Sequence, residues 1–195
     1  MQKLILVRHS LPEISPSLPA KQWSLSEAGR QRCRPLANRL AALAPDVIVT
    51  SDEPKAMETG RIVAALLGKP LKTAQGLHEH DRSNVAFEST EWFEAAVARF
   101  FAEPGRLVFG NETADQAHRR FSEAVANVLE EHPEQNVAIV AHGTVMTLFV
   151  ARTGGLEPFP FWKRLGLPAF VVLSRPKFDL VRVVERVEDA ERAQQ

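Results

Sequence analysis

Apolar runs rich in β-branched residues recur along the chain at Lys3 to Val7, Asp46 to Thr50, Asn136 to Ala141, Ala169 to Ser174 and Asp179 to Glu185, with a weaker run near Leu71. Each has the length and composition of a strand. Between several of them the apolar spacing becomes helical. Ser26 can cap a helix that runs on through Leu36, Leu40 and Leu43, although Pro35 within it must kink it or remove a hydrogen bond. A second helix is predicted from about Pro54 to Leu67, with the proline suited to a first turn and Ile62, Val63 and Leu66 forming the buried stripe. Thr113 and Gln116 stand at capping-box spacing before a third helix, whose Phe121, Val125, Val128 and Leu129 share a face and whose stop is marked by Pro133.

Strand alternating with helix predicts an α/β fold: a three-layer, open, mainly parallel sheet with helices on both faces. The last two strand-like runs, separated by Arg175-Pro176-Lys177, read as an antiparallel hairpin at one edge. Residues 76–111 break the alternation, because Gly76 to Glu88 is polar and histidine-containing while Thr90 to Ala102 carries an aromatic-rich helical pattern. A small inserted cap segment is therefore expected within a single domain spanning residues 1–195. The charged residues Glu188 to Gln195 are expected to fray.

Composition narrows the function classes. The chain has 195 residues, enough for one well-buried domain, and its 24 lysines and arginines balance 24 aspartates and glutamates. Net charge thus provides no attraction to nucleic acid or to a membrane surface, and neither partner is expected. A single cysteine, Cys33, rules out an intramolecular disulfide and a thiolate-rich metal site. The N-terminus begins on a core strand with no signal-peptide pattern, and no apolar run reaches membrane length, so a cytoplasmic protein is expected.

Chemistry concentrates where the strands end. In open parallel sheets, ligands bind beyond the carboxyl ends of the strands. The first strand ends on Arg8-His9-Ser10, the second runs into Ser51, and the fourth runs into His142-Gly143-Thr144. Two histidines delivered to one edge could hold a metal, but the permanent charge of the neighbouring Arg8 repels a cation and attracts an anion. An oxyanion site is the better match.

Val7-Arg8-His9-Ser10 resembles the Arg-His-Gly signature of the histidine phosphatase superfamily, the phosphoglycerate mutase-like family, with serine in place of glycine. The resemblance extends over nearly the whole chain. Leu25-Ser26-Glu27-Ala28-Gly29-Arg30 is similar to the family's Leu-Thr-x-x-Gly segment, Thr50-Ser51 through Ala56 and Thr59 to its Ser-x-x-x-Arg-Ala-x-x-Thr segment, and Leu77-His78-Glu79 to its Leu-x-Glu. Asn111-Glu112-Thr113 with the later Arg120 resembles Gly-Glu-Ser and its arginine, and Ala141-His142-Gly143 the second histidine motif. Six such segments in order are specific.

The resemblance implies a metal-independent phosphomonoesterase with no cofactor, acting on a small phosphorylated metabolite. Its alternatives are a phosphoglycerate mutase-type phosphotransferase or a catalytically impaired phosphate-binding module. By the same resemblance His9 is the nucleophile, Arg8 and His142 bind phosphate as guanidinium and imidazolium donors, and Glu79 is the general acid, which requires a raised pKa. Ser10, Lys55, Gly143 and Arg82 complete the expected substrate-binding set.

The chain departs from the family pattern at Lys55, which replaces an arginine and keeps the charge but not the planar fork. Asp52 and Glu53 just before it are expected to face solvent at the first turn of the helix. The Ser10 hydroxyl is a candidate phosphate donor. His78, His80 and Arg82 are candidate substrate contacts, with an exposed polar turn the favoured reading of both histidines. Arg99, Trp92 and Phe87 lie in the same specificity-bearing region. Phe159, Phe161, Trp162 and Phe170 would suit a homodimer contact or, more simply, a buried core edge.

Overall fold

The computed structural model of the chain describes residues 2–187, so the expectation for Glu188 to Gln195 lies outside the described residues. Its strands are β1 (Lys3–Arg8), β2 (Val47–Thr50), β3 (Leu71–Thr73), β4 (Val137–Ala141), β5 (Ala169–Ser174) and β6 (Leu180–Val184), arranged in the order β3-β2-β4-β1-β5-β6. The first four in that order run parallel to one another. The chain then reverses: β5 pairs antiparallel with β1, and β6 antiparallel with β5, which forms the expected edge hairpin.

The helices are α1 (Glu27–Ala41), α2 (Pro54–Leu67), α3 (Thr90–Ala102), α4 (Ala114–Glu131), α5 (Gly143–Gly154) and α6 (Pro158–Arg164). Alternate strand residues face opposite layers. Leu4, Leu6, Val137 and Ile139 pack with side chains of α3 to α6, while Ile5, Val7, Ala138 and Val140 pack with α1 and α2. This alternation explains why the central strands read as continuous apolar runs: both of their faces are covered.

Pro35 does not end α1. The helix is capped by Ser26, whose hydroxyl accepts from the Gly29 amide, and it continues past the proline with Cys33, Leu36, Ala37 and Leu40 buried. Packing of that stripe outweighs the one missing hydrogen bond. The capping box at Thr113 and Gln116 forms in both directions.

Two helices carry no amphipathic signal. Gly143 through Ala151 of α5 are all buried, so over this stretch the helix has no exposed polar face to reveal its period. The seven-residue α6 includes two prolines, Pro158 and Pro160. Of the four aromatic residues expected near the hairpin, Phe161 and Phe170 are core residues with 1% exposure. Phe159 and Trp162 are partly buried against the same core.

The segment 76–111 folds into α3 and flanking loops, and its Leu77, Val97, Phe100 and Phe109 belong to the larger core cluster. The sheet places its chemistry between β1 and β4, adjacent parallel strands whose following helices, α1 and α5, pack on opposite faces. Such a divergence opens a crevice at the carboxyl ends of the strands.

Candidate active site

The sheet ladder extends past β1 and β2 and so fixes the residues that follow them. The His9 amide donates to the Ala141 carbonyl at 3.0 Å, and the Ser51 amide to the Val140 carbonyl at 3.0 Å. His9, Ser51 and His142 consequently stand side by side at one edge, and the two imidazole centroids are 5.2 Å apart. His9 Nδ1 lies 2.7 Å from the Ser10 carbonyl oxygen. A carbonyl can only accept, so Nδ1 carries the proton and Nε2 holds the lone pair. His142, fully buried, stands immediately before α5 and has its Nε2 2.9 Å from the Ser51 hydroxyl.

Two permanent cations stand beside these rings. Arg8 donates through Nη1 to the Leu165 carbonyl, and its guanidinium packs against Gly143 so closely that a Cβ there would lie 2.8 Å from Nε. Lys55, 5% exposed in the first turn of α2, donates from Nζ to the Ala20 carbonyl at 2.8 Å and pairs with the Glu53 carboxylate. Arg8 Nε and His142 Nδ1 are buried without a hydrogen-bond partner among the described residues.

Glu79 sits on the N-terminus of α5. Its carboxylate accepts from the Thr144 amide at 3.0 Å, the Val145 amide at 3.2 Å and the His80 amide at 2.9 Å. Arg120 of α4 steadies the loop beneath it. That guanidinium donates to the Gly76, His78 and Glu79 carbonyls and to the Glu112 carboxylate. Arg8, His9, Lys55, Glu79 and Arg82 line one cavity of about 680 Å³. His142 adjoins it through its contact with His9.

The model of the histidine phosphatase superfamily (branch 1) matches residues 4–179. The chain belongs to the histidine phosphatase superfamily. Among known proteins it is 26% identical over 134 residues to phosphoglycerate mutase-like protein 4 of Arabidopsis thaliana, a match covering 63% of this chain and 56% of that relative. A phosphoserine phosphatase mutant from Entamoeba histolytica, solved with phosphoserine, superposes with a TM-score of 0.78 at 16% identity, covering 96% of this chain and 98% of that one. The alpha-ribazole phosphatase of Shigella flexneri superposes with a TM-score of 0.72 at 20% identity over 95% and 97% of the two chains. A mycobacterial glucosyl-3-phosphoglycerate phosphatase with inorganic phosphate gives 0.73 at 22% identity over 94% and 95%.

Within this superfamily member, burial is the main influence on both imidazoles and holds each well below its ordinary range. His142, Lys55 and Arg8 add to the effect at His9, whereas at His142 Lys55 adds to it and Glu79 opposes it. His142 is therefore a neutral imidazole in the free protein, not the imidazolium expected. Burial pushes the Glu79 carboxyl up, but the Thr144 and His80 amides, which donate to its charged form, work against burial, and the group lies below its ordinary range. Its expected elevation is absent from the free protein, because these two backbone donors stabilise the charged form.

Four further expectations are corrected. Glu53 does not face solvent: it is 7% exposed, pairs with Lys55, accepts from the Glu79 amide at 2.8 Å and lies 3.7 Å from His142 Nε2, while Asp52 is exposed. The Ser10 hydroxyl is fully buried and donates to the Gly29 carbonyl at 2.7 Å, away from the cavity lining. His80 is no exposed turn residue. It is 3% exposed between the rings of Phe100 and Phe109, and His78 is half-buried on the cavity wall. Arg99 is tied to Glu103 outside the cavity lining.

Sequence reasoning assigned no role to Arg120 or Glu53. The eight-residue spacing of Glu112 and Arg120 across a helix start was the available signal for the first. For Glu53 none existed, since a carboxylate at a helix N-terminus normally faces water.

Proposed function

We propose that this chain is a metal-independent phosphomonoesterase that passes a phosphoryl group through His9 to water. The observation that carries this reading is the His9 tautomer. With Nδ1–H held by the Ser10 carbonyl, Nε2 presents a lone pair at the cavity beside Arg8 and Lys55. Nε2 attacks phosphorus as the bond to the leaving oxygen breaks, and that oxygen takes a proton from Glu79. Water then attacks the phosphohistidine, the P–N bond breaks, and Glu79 takes the water proton. A bound phosphate dianion repels the Glu79 carboxylate and so raises its pKa in the complex. Arg8, Lys55 and His142 Nδ1 are the groups available to meet the spread negative charge of the transferring group.

Incubation with a labelled aryl phosphate tests the reading. An acid-labile label on the wild-type protein, absent from His9→Ala, together with turnover that survives a chelator, is the expected result. Activity abolished by chelation, or turnover retained by His9→Ala, would refute it. Release of inorganic phosphate, measured against transfer to a second hydroxyl, distinguishes hydrolysis from a mutase-type reaction. One observation favours a second reading, a phosphate-binding module without turnover: Glu53 brings a carboxylate onto the cation that would otherwise meet phosphate. That module binds inorganic phosphate but acquires no label.

A further inference from the structure

We propose that the alcohol portion of the substrate carries an aromatic ring bearing a carboxylate, and that Arg82 binds this carboxylate. The proposal rests on the phosphomonoesterase reading and names the substrate class of the same site. Its first support is where the exposed apolar surface lies. Ile14 is 58% exposed, Leu18 46%, Phe87 55% and Trp92 41%, and all four line the cavity that His9 and Glu79 open into. A soluble domain normally scatters such residues singly, so their convergence on one cavity marks a binding surface for an apolar group. The Trp23 and Phe87 rings, 6.4 Å apart, contribute flat faces to the same wall. At about 680 Å³ the cavity is well beyond the needs of a three-carbon phosphate and suits a ring-containing molecule.

The second support is Arg82. Its Cζ lies 4.4 Å over the Phe93 ring, and it stands three residues past Glu79 on the wall of the same cavity. Among the described residues its guanidinium has no hydrogen bond and no carboxylate oxygen within 4.0 Å. The acids around it are engaged elsewhere. Glu53 pairs with Lys55, Glu79 is held by α5, and Asp81 accepts from Ser83 and Asn111. A guanidinium keeps its charge, stacks on aromatic faces and forks onto planar carboxylates. A single carboxylate also costs less to desolvate in this aromatic wall than a second phosphate dianion would.

Three probes with the same primary-alcohol leaving group match intrinsic reactivity: propyl phosphate, 2-phenylethyl phosphate and 2-(4-carboxyphenyl)ethyl phosphate. In kcat/KM the phenyl probe is expected to exceed the propyl probe by about tenfold, and the carboxyphenyl probe to exceed the phenyl probe by about tenfold again. Arg82→Gln should bring the carboxyphenyl-to-phenyl ratio to about one, and Trp92→Ala should shrink the phenyl-to-propyl ratio. Arg82→Lys, which keeps the charge but loses the fork, should restore the carboxyphenyl ratio in part. Equal kcat/KM for all three probes, or a carboxylate gain that survives Arg82→Gln, overturns this proposal alone. Turnover of none of the three by the wild-type protein, with no phosphoenzyme formed, overturns the phosphomonoesterase reading along with it. The wild-type ratios decide the matter even if a variant fails to fold.

Discussion

Lys55 and Glu53 form the least expected contact of the site. A lysine ammonium has three donors on a flexible stem, and here the Ala20 carbonyl and the Glu53 carboxylate engage two of them. These anchors hold the ammonium in place much as a planar fork would, but the carboxylate also cancels charge that phosphate would otherwise feel. Glu53→Gln removes that charge while leaving an oxygen able to accept from the Glu79 amide. Inhibition by inorganic phosphate should therefore tighten on the order of tenfold, the direction set by removing a like charge a few ångströms from the anion. Weaker inhibition would mean that Glu53 acts chiefly as an anchor. Gly143 provides a second test, because a Cβ there would meet Arg8 Nε at 2.8 Å and Cζ at 2.9 Å, atoms of a side chain that can move. Gly143→Ala should thus leave the unfolding midpoint nearly unchanged while lowering kcat/KM roughly a hundredfold through the displaced guanidinium.

At the scale of elements, the site depends on helices that meet loops end-on. The N-terminus of α5 receives Glu79 from the loop after β3, and α4 reaches across with Arg120 to hold that loop by three carbonyls and Glu112. Arg120 touches no reacting group and acts through the acid it positions. Arg120→Ala should lower kcat about a hundredfold with a smaller change in KM, since a misplacement of the order of 1 Å is enough for such a loss. The acid-dependent limb of the pH profile should move as well, because Glu79 would lose its fixed amide donors. An unaltered profile with a merely lowered melting temperature would make Arg120 a structural residue only.

For the whole molecule, two buried neutral histidines couple stability to pH. Each imidazole has a folded pKa well below the ordinary 6.5 that the unfolded chain restores. Between those two values the unfolded state binds a proton that the native state refuses, so stability is full above about pH 6.5 and declines as pH falls. The slope is up to about 1.4 kcal/mol per pH unit for each histidine. Urea midpoints measured from pH 7.5 to pH 5.5 should fall accordingly, and His142→Gln should flatten the decline. A midpoint that stays constant over this range would contradict the buried neutral state. The same depression keeps His9 unprotonated in mild acid, so the acid limb of kcat/KM is expected below the usual imidazole range, and Lys55→Gln should shift it upward.

Local pattern was enough to write the strand positions, α1, α2 and α4, the edge hairpin and the three strand ends that carry Arg8, Ser51 and His142. Period and capping chemistry act within a few residues, and the six motif segments keep their order along the chain. Helix α5 escaped that reading because burial on every side, from Gly143 through Ala151, erases the period that marks a helix. What tertiary structure alone decided is the electrostatic state of the site. Glu53 turned inward because Lys55, two residues on in the same helix start, and the Glu79 amide, brought from another loop, together provide more than water does. Glu79 lost its expected elevation because the start of a helix more than sixty residues away provides its amide donors. A pKa and a side-chain direction are set by the neighbours that folding brings close in space, and no spacing along the chain encodes them.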